Sequence, residues 1–185
     1  MKKIKVEIKG ETPLLMNNPA SMIEEQIGMK KVTRMKTRTK KDAEKEADKL
    51  AYKKSNGELY IPSEAIRGSL LGAASYKKIG KYAARGIMAA GIQINPEQVG
   101  LGIKTYDLDI RTVVIQRNRV VKIRPRLNNW KAKFEIEYDE TLIGNPEIIK
   151  EVLEDAGKRV GLLDFRPQKT GTFGKFKITK WEESK

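Results

Sequence analysis

Neither cysteine nor histidine occurs among the 185 residues of this chain. Without cysteine there is no disulfide, no thiolate nucleophile and no Cys-ligated metal. Without histidine the commonest general base and the commonest imidazole metal ligand are also missing. Long hydrophobic runs are lacking too, and no apolar stretch approaches the ~18 residues of a membrane-spanning helix. The opening segment, MKKIKVEIKG, alternates basic and apolar positions. It lacks the continuous apolar core of a secretory signal, so a cytoplasmic protein is expected, with no membrane partner and no cofactor. The length fits one domain, 1–185.

Positive charge is abundant: 38 Lys and Arg stand against 24 Asp and Glu, a net charge of +14. Its distribution is uneven. Lys30, Lys31, Arg34, Lys36, Arg38, Lys40 and Lys41 form an acid-free run. Arg111, Arg117, Arg119, Lys122, Arg124 and Arg126 form a second. Lys158, Arg159, Arg166, Lys169, Lys175, Lys177 and Lys180 form a third, interrupted only by Asp164. These three segments hold 20 basic residues and one acid, and the rest of the chain holds 18 basic and 23 acidic. A mildly acidic body with three basic elements points to a polyanionic partner. A Lys-rich solvated surface is the plainer alternative, but it does not explain the acid-free runs.

Periodicity supplies the elements. Residues 2–9 alternate, with Ile4, Val6 and Ile8 on one face, and predict a half-buried strand. Residues 10–39 show no clean period. They carry Met16, Met22, Met29 and the first basic run, and a loop of this length is expected to be functional or disordered. A helix is predicted over 41–53, so that 10–58 reads as an inserted basic loop and helix. Pro62-Ser63 opens a helix to about Ala74. Ile79, Ala83 and Ile87 predict another over 76–90. Beyond residue 103 strands dominate: 110–116, a turn at Arg117-Asn118, then 119–126 and 130–138. The segment 103–118 reads as an additional strand or hairpin arm. A helix follows Asn145-Pro146, then a glycine-containing loop from Gly157 to Gly174, and a last strand over 175–181.

The strong elements run strand, helix, strand, strand, helix, strand. This α+β order is that of the ferredoxin-like, RRM-like β-α-β-β-α-β core. With helices on one sheet face, the other is expected to display Lys3, Lys5, Lys9, Lys122, Arg124, Arg126, Lys131, Lys133, Lys175 and Lys177. A solvated Lys/Glu sheet face is the ordinary alternative. Outward positions of the two central strands are Lys and Glu, while Trp130, Phe134 and Tyr138 point inward. Base stacking on the sheet is therefore not expected.

Two stretches resemble the CRISPR RAMP (repeat-associated mysterious protein) superfamily. One is LYIPSEAIRGSLL, residues 59–71, similar to the family's Ile-Pro-Gly-Ser-Ser-Ile-Lys-Gly stretch. The other is GKRVGLLDFRPQKTGTFGKF, placed like the family's glycine-rich loop between last helix and last strand. Ser63 stands where the family has glycine, and Leu71-Gly72 replaces an arginine. The resemblance is strongest to the subunit that polymerises along guide RNA. It implies RNA contact by Ser63 and Arg67 at a helix N-terminus, and by Lys158, Arg159, Arg166, Lys169 and Lys175 in the loop. It also implies a homo-oligomer or filament, with other effector subunits as further partners.

Some relatives cut RNA, one type through histidine and another through an aspartate after the first strand. Histidine is absent, and residues 10–41 contain no aspartate. Tyr76, Tyr82 and Lys81 could substitute in an acid/base nuclease, and Asp107 with Asp109 could hold Mg²⁺. Solvated or capping roles are the plainer readings for these groups, as for Asp42. The expectation is a non-catalytic, sequence-tolerant single-stranded RNA-binding protein, with single-stranded DNA binding and a histidine-free ribonuclease as the alternatives. Phe165, Phe173 and Trp181 are candidate stacking groups in or near the loop.

Overall fold

The computed structural model describes residues 1–20, 23, 27, 39–115 and 117–183. In chain order the elements are β1 (Lys2–Gly10), β2 (Leu14–Leu15), α1 (Lys40–Leu50), β3 (Tyr60–Pro62) and α2 (Ser63–Ala74). Next come β4 (Lys78–Ile79), β5 (Tyr82–Ala83), α3 (Ala84–Gly91), β6 (Ile92–Asn95) and β7 (Gln98–Gly100). The ribbon strands β8 (Asp107–Ile115) and β9 (Asn118–Leu127) precede β10 (Lys131–Tyr138). The chain ends with α4 (Glu140–Ile143), α5 (Pro146–Asp155) and β11 (Phe176–Glu183).

The main sheet has the antiparallel order β11-β1-β10-β6. Alternation in β1 and β10 sends Ile4, Val6, Ile8, Ala132, Phe134, Ile136 and Tyr138 to one face, where all are buried. α2 and α5 cover that face through Ile66, Leu70, Ile149, Val152 and Leu153. Asn145 caps α5, its side chain accepting from the Glu147 N–H at 2.9 Å, with Pro146 opening the first turn. α1 starts with a reciprocal capping box between Thr39 and Asp42, which gives Asp42 the capping role.

Two expectations are corrected. The second strand of the main sheet is β6, residues 92–95, and not 119–126. Ile92 and Ile94 supply the buried positions of β6, opposite Tyr138 and Ile136. The alternating stretch 119–126 belongs instead to β9, which pairs with β8 and β2 in a separate three-stranded sheet. The helix expected over 76–90 is a small hairpin, β4–β5, followed by α3. Gly80 at φ 60° sits in the connection, where a side chain would be strained.

The proposed cationic platform changes accordingly. Lys122, Arg124 and Arg126 lie in the other sheet, and Lys175 precedes β11. What remains on the open face is zoned. Lys3 pairs with Glu135 at 3.0 Å and Glu137 at 2.7 Å, and Lys133 with Glu7 at 3.2 Å. Lys5 stands between Glu135 and Glu182 in the strand register. At the other end Lys9 lies opposite both Lys131 and Lys177. None of those three forms an ion pair among the described residues. Like charges directly opposite one another are destabilising. Lys131→Glu is therefore expected to raise the thermal midpoint by about 1–3 °C at low ionic strength. The gain should shrink at high salt, where exposed charges are screened. Calorimetry at two salt concentrations checks both.

Candidate nucleic-acid interface

The two motif stretches, far apart in sequence, face one another across a cleft of about 340 Å³. From α2 come Glu64, Ala65, Gly68 and Ser69, and from the loop come Leu163, Asp164 and Arg166. Asn17 and Tyr52 complete the lining. The α2 N-terminus follows Pro62 with no side-chain cap, and the Ser63 N–H donates to the Glu97 carbonyl at 2.8 Å. Glu64 already places a carboxylate in the first turn, complementing the helix dipole.

The loop is closed by its own backbone. The Leu162 N–H donates to Gly174 O at 2.9 Å, Gly174 N–H to Pro13 O at 2.8 Å, and Phe173 N–H to Phe165 O at 3.1 Å. A Cβ at Gly171 would collide with the Phe165 carbonyl, and one at Gly174 with the Leu162 carbonyl. Gly171 and Gly174 thus serve the packing of the loop on itself.

A buried ion network anchors the loop to the β8–β9 ribbon. Arg124, 3% exposed, donates to Asp109 Oδ2 at 2.8 Å and to Asp164 Oδ2 at 2.9 Å. Asp109, also 3% exposed, receives Arg111 Nε at 2.7 Å on its other oxygen. Lys122 reaches Asp164 at 3.2 Å. The Arg124 guanidinium lies 5.9 Å from the Phe165 ring centroid, and those of Arg111 and Arg126 lie 4.7 and 5.9 Å from that of Phe173. Burial alone would raise the Asp164 carboxyl. Arg124 and Lys122 outweigh it and hold the group below its ordinary value.

Among the sequence-derived site residues, Lys30, Lys31, Arg34, Lys36 and Arg38 lie outside the described residues. Arg124 is corrected: a guanidinium this buried and doubly paired is a structural anchor and cannot reach a phosphate. Arg67 is half-buried and tied to backbone carbonyls. Its Nε donates to Ile92 O at 3.3 Å and its Nη2 to Ala89 O, which ties α2 to the end of α3. Lys122 is held by Asp164. Arg166 donates to Leu163 O at 2.8 Å and lies half-buried on the cleft wall. Arg117 and Arg119 are exposed toward the free end of the ribbon. Lys158 and Arg159 project from the π-helical turn after α5, where Arg159 approaches Asp155 at 3.7 Å. Lys169 is exposed and Lys175 half-buried on the loop.

Sequence reasoning missed the Asp109–Arg124–Asp164 network, because the expected turn at Arg117-Asn118 sets Asp109 opposite Arg126. The strands pair Ile115 with Asn118 instead, and this shift sets Asp109 opposite Arg124. The carboxylates considered for a metal are engaged in this way: Asp109 in the network, and Asp107 accepting from Asn128 at 2.6 Å. Tyr76, 80% exposed, precedes the β4–β5 hairpin, and Tyr82, 73% exposed, is the first residue of β5. No group of three or more acidic residues that could hold a metal occurs among the described residues. No helix among them is long and apolar enough to cross a membrane.

No family model matches this chain, and no curated protein does. Among solved structures, a chain of the cryo-EM structure of Type III-B Cmr-beta bound to cognate target RNA shares its fold, with a TM-score of 0.60 and 15% sequence identity. The match covers 100% of this chain and 61% of that one.

Two outcomes are expected. Arg124→Ala or Asp109→Asn should cost about 3–5 kcal/mol in urea unfolding, because each strands a buried partner. Arg119→Ala should stay within about 0.5 kcal/mol. Because the folded Asp164 carboxyl is depressed, its contribution is fully present above about pH 4 and is lost as pH falls through the folded value. Asp164→Asn should therefore flatten the stability–pH curve below pH 4, measured by urea midpoints across an acid series.

Proposed function

We propose that this chain is a RAMP-type, CRISPR-associated subunit that binds single-stranded RNA without cleaving it. The observation carrying this reading is the convergence of the 63–69 helix segment and the 163–166 loop segment on one cleft. These are the two stretches on which the family resemblance rests. The fold shared with a chain of an RNA-bound assembly supports the same reading. So does the main sheet: taken in chain order its strands lie fourth, first, third, second, with helices on one face, as in a ferredoxin-like core.

Lys158, Lys169 and Lys175 have no ion pair among the described residues and lie on or beside the loop. They are the cations we assign to the RNA backbone, together with Arg117 and Arg119 on the ribbon. Phosphate contacts of this kind give sequence-tolerant binding that weakens steeply with salt. The ribbon also exposes Val114, Val120 and Val121, at 69%, 40% and 41%. We assign this apolar, basic arm to contact with a neighbouring copy along the strand.

Fluorescence anisotropy with matched single-stranded RNA, single-stranded DNA and duplex oligonucleotides tests the reading. RNA should bind best, and log Kd should change with log salt at a slope of about 3 if four phosphates are contacted. Lys158→Ala/Lys169→Ala/Lys175→Ala should weaken RNA binding roughly tenfold or more at moderate salt, with the unfolding midpoint unchanged. Preference for duplex DNA would remove the reading. Site-specific cleavage of labelled RNA, with or without Mg²⁺, would remove its non-catalytic part.

A further inference from the structure

The lining of the cleft is wrong for a phosphate. Two carboxylates, Glu64 and Asp164, face it against one guanidinium, Arg166, so a phosphate would meet more like charge than opposite charge there. Glu64 has no hydrogen bond or ion pair among the described residues. Asp164 receives Arg124 and Lys122 on Oδ2, which leaves Oδ1 without a partner among the same residues. Ser69 is 3% exposed, lines the cleft, and its hydroxyl has no hydrogen-bond partner among the described residues. A buried hydroxyl in that state is destabilising until something pairs with it.

The shape of the cleft follows from α2. Ala65 and Gly68 leave the helix face low, and a Cβ built on Gly68 meets nothing within 4 Å. Two flat groups, the Tyr52 ring and the Arg166 guanidinium, belong to the walls. Burial raises the Tyr52 phenol, and this ring is neutral at pH 7, whereas the Arg166 guanidinium keeps its charge. The volume falls in the range of small-ligand pockets. Such a cleft calls for a planar, neutral group that brings adjacent N–H donors to carboxylate oxygens and a further polar atom to a hydroxyl.

We infer that this cleft takes a single unstacked guanine, its N1–H and N2–H facing the Glu64 and Asp164 carboxylates and Ser69 pairing with another polar edge of the base. Guanine alone among the common bases has two adjacent donors on its Watson–Crick edge. Adenine and cytosine set an acceptor beside their amino group, and uracil sets its one N–H between two carbonyls. This rests on the cleft being part of the RNA path. It adds a base-reading position to binding that otherwise follows the backbone.

Titration of the ¹⁵N-labelled protein with guanosine, inosine, adenosine, cytidine and uridine tests the assignment. Guanosine should give saturable shifts of the Gly68 and Ser69 amides, and inosine, which lacks the 2-amino group, should bind roughly tenfold more weakly. Gly68→Val, which fills open space, should abolish the shifts with the fold intact. Glu64→Gln, at an exposed position, should cost guanosine at least about tenfold. If no nucleoside shifts these amides, or if adenosine binds as well as guanosine, the inference is overturned, even where RNA oligonucleotides bind tightly. If guanosine binds and RNA does not, the base pocket stands and the RNA-binding function falls.

Discussion

The Arg124 guanidinium is the constraint on which the interface depends. It reaches Asp109 on the adjacent strand and Asp164 on the loop, and it does so almost wholly out of solvent. Removing the Arg124 and Asp109 charges from water is costly, and only good geometry with several hydrogen bonds offsets that cost. Here Asp109 accepts from two arginines, Asp164 from Arg124 and Lys122, and a phenylalanine ring lies near the guanidinium. The Asp164 N–H also donates to Leu15 O, and the Met16 N–H to Pro125 O. One arginine thus locks the ribbon root, the short strand β2 and the loop into a single body. The cleft owes one of its two walls to that body.

The same accounting changes what the net charge means. Several cations that looked available are internal ties: Arg124 in the network, Arg67 on the carbonyls of Ala89 and Ile92, and Arg111 and Arg126 over Phe173. On the open face of the main sheet, Lys3 and Lys133 are neutralised by cross-strand glutamates. Among the described residues, cations without an ion pair occur at the loop, at the free half of the ribbon and at one corner of the sheet, and also along α1 at Lys40, Lys41, Lys45 and Lys49. Phe165 and Phe173 pack against each other at 5.9 Å and against arginines; Phe173 is buried in the loop, whereas Phe165 remains 37% exposed.

Much of the fold was legible because it is local. Alternation in β1 and β10, Pro62 before α2, and Asn145-Pro146 before α5 each carry their cause in adjacent residues. Strand partnership is not local. The four-residue β6 has a weaker pattern than 119–126, yet it takes the place beside β10, because Ile92 and Ile94 meet Tyr138 and Ile136 under α2. The site was legible only in outline. Periodicity located the helix and the loop, but a run of arginines does not say which will be buried. Arg124 sits between Ile123 and Pro125, all three buried, so alternation fails there because both sides of the strand are covered.

Charge of both signs around one cleft gives the proposed binding mode its direction. A strand that laid its phosphates into the cleft would face Glu64 and Asp164, whereas one that kept its backbone among Lys158, Lys169 and Lys175 would turn bases toward them. The helix dipole does not reverse this, since Glu64 occupies the first turn where an anion would otherwise be drawn. Nor do the loop glycines, whose room is taken up by the carbonyls of Phe165 and Leu162. In the proposed mode, backbone affinity and base contact are separated in space. The first belongs to lysines that salt can screen, and the second to a cleft in which the Arg124 network fixes Asp164.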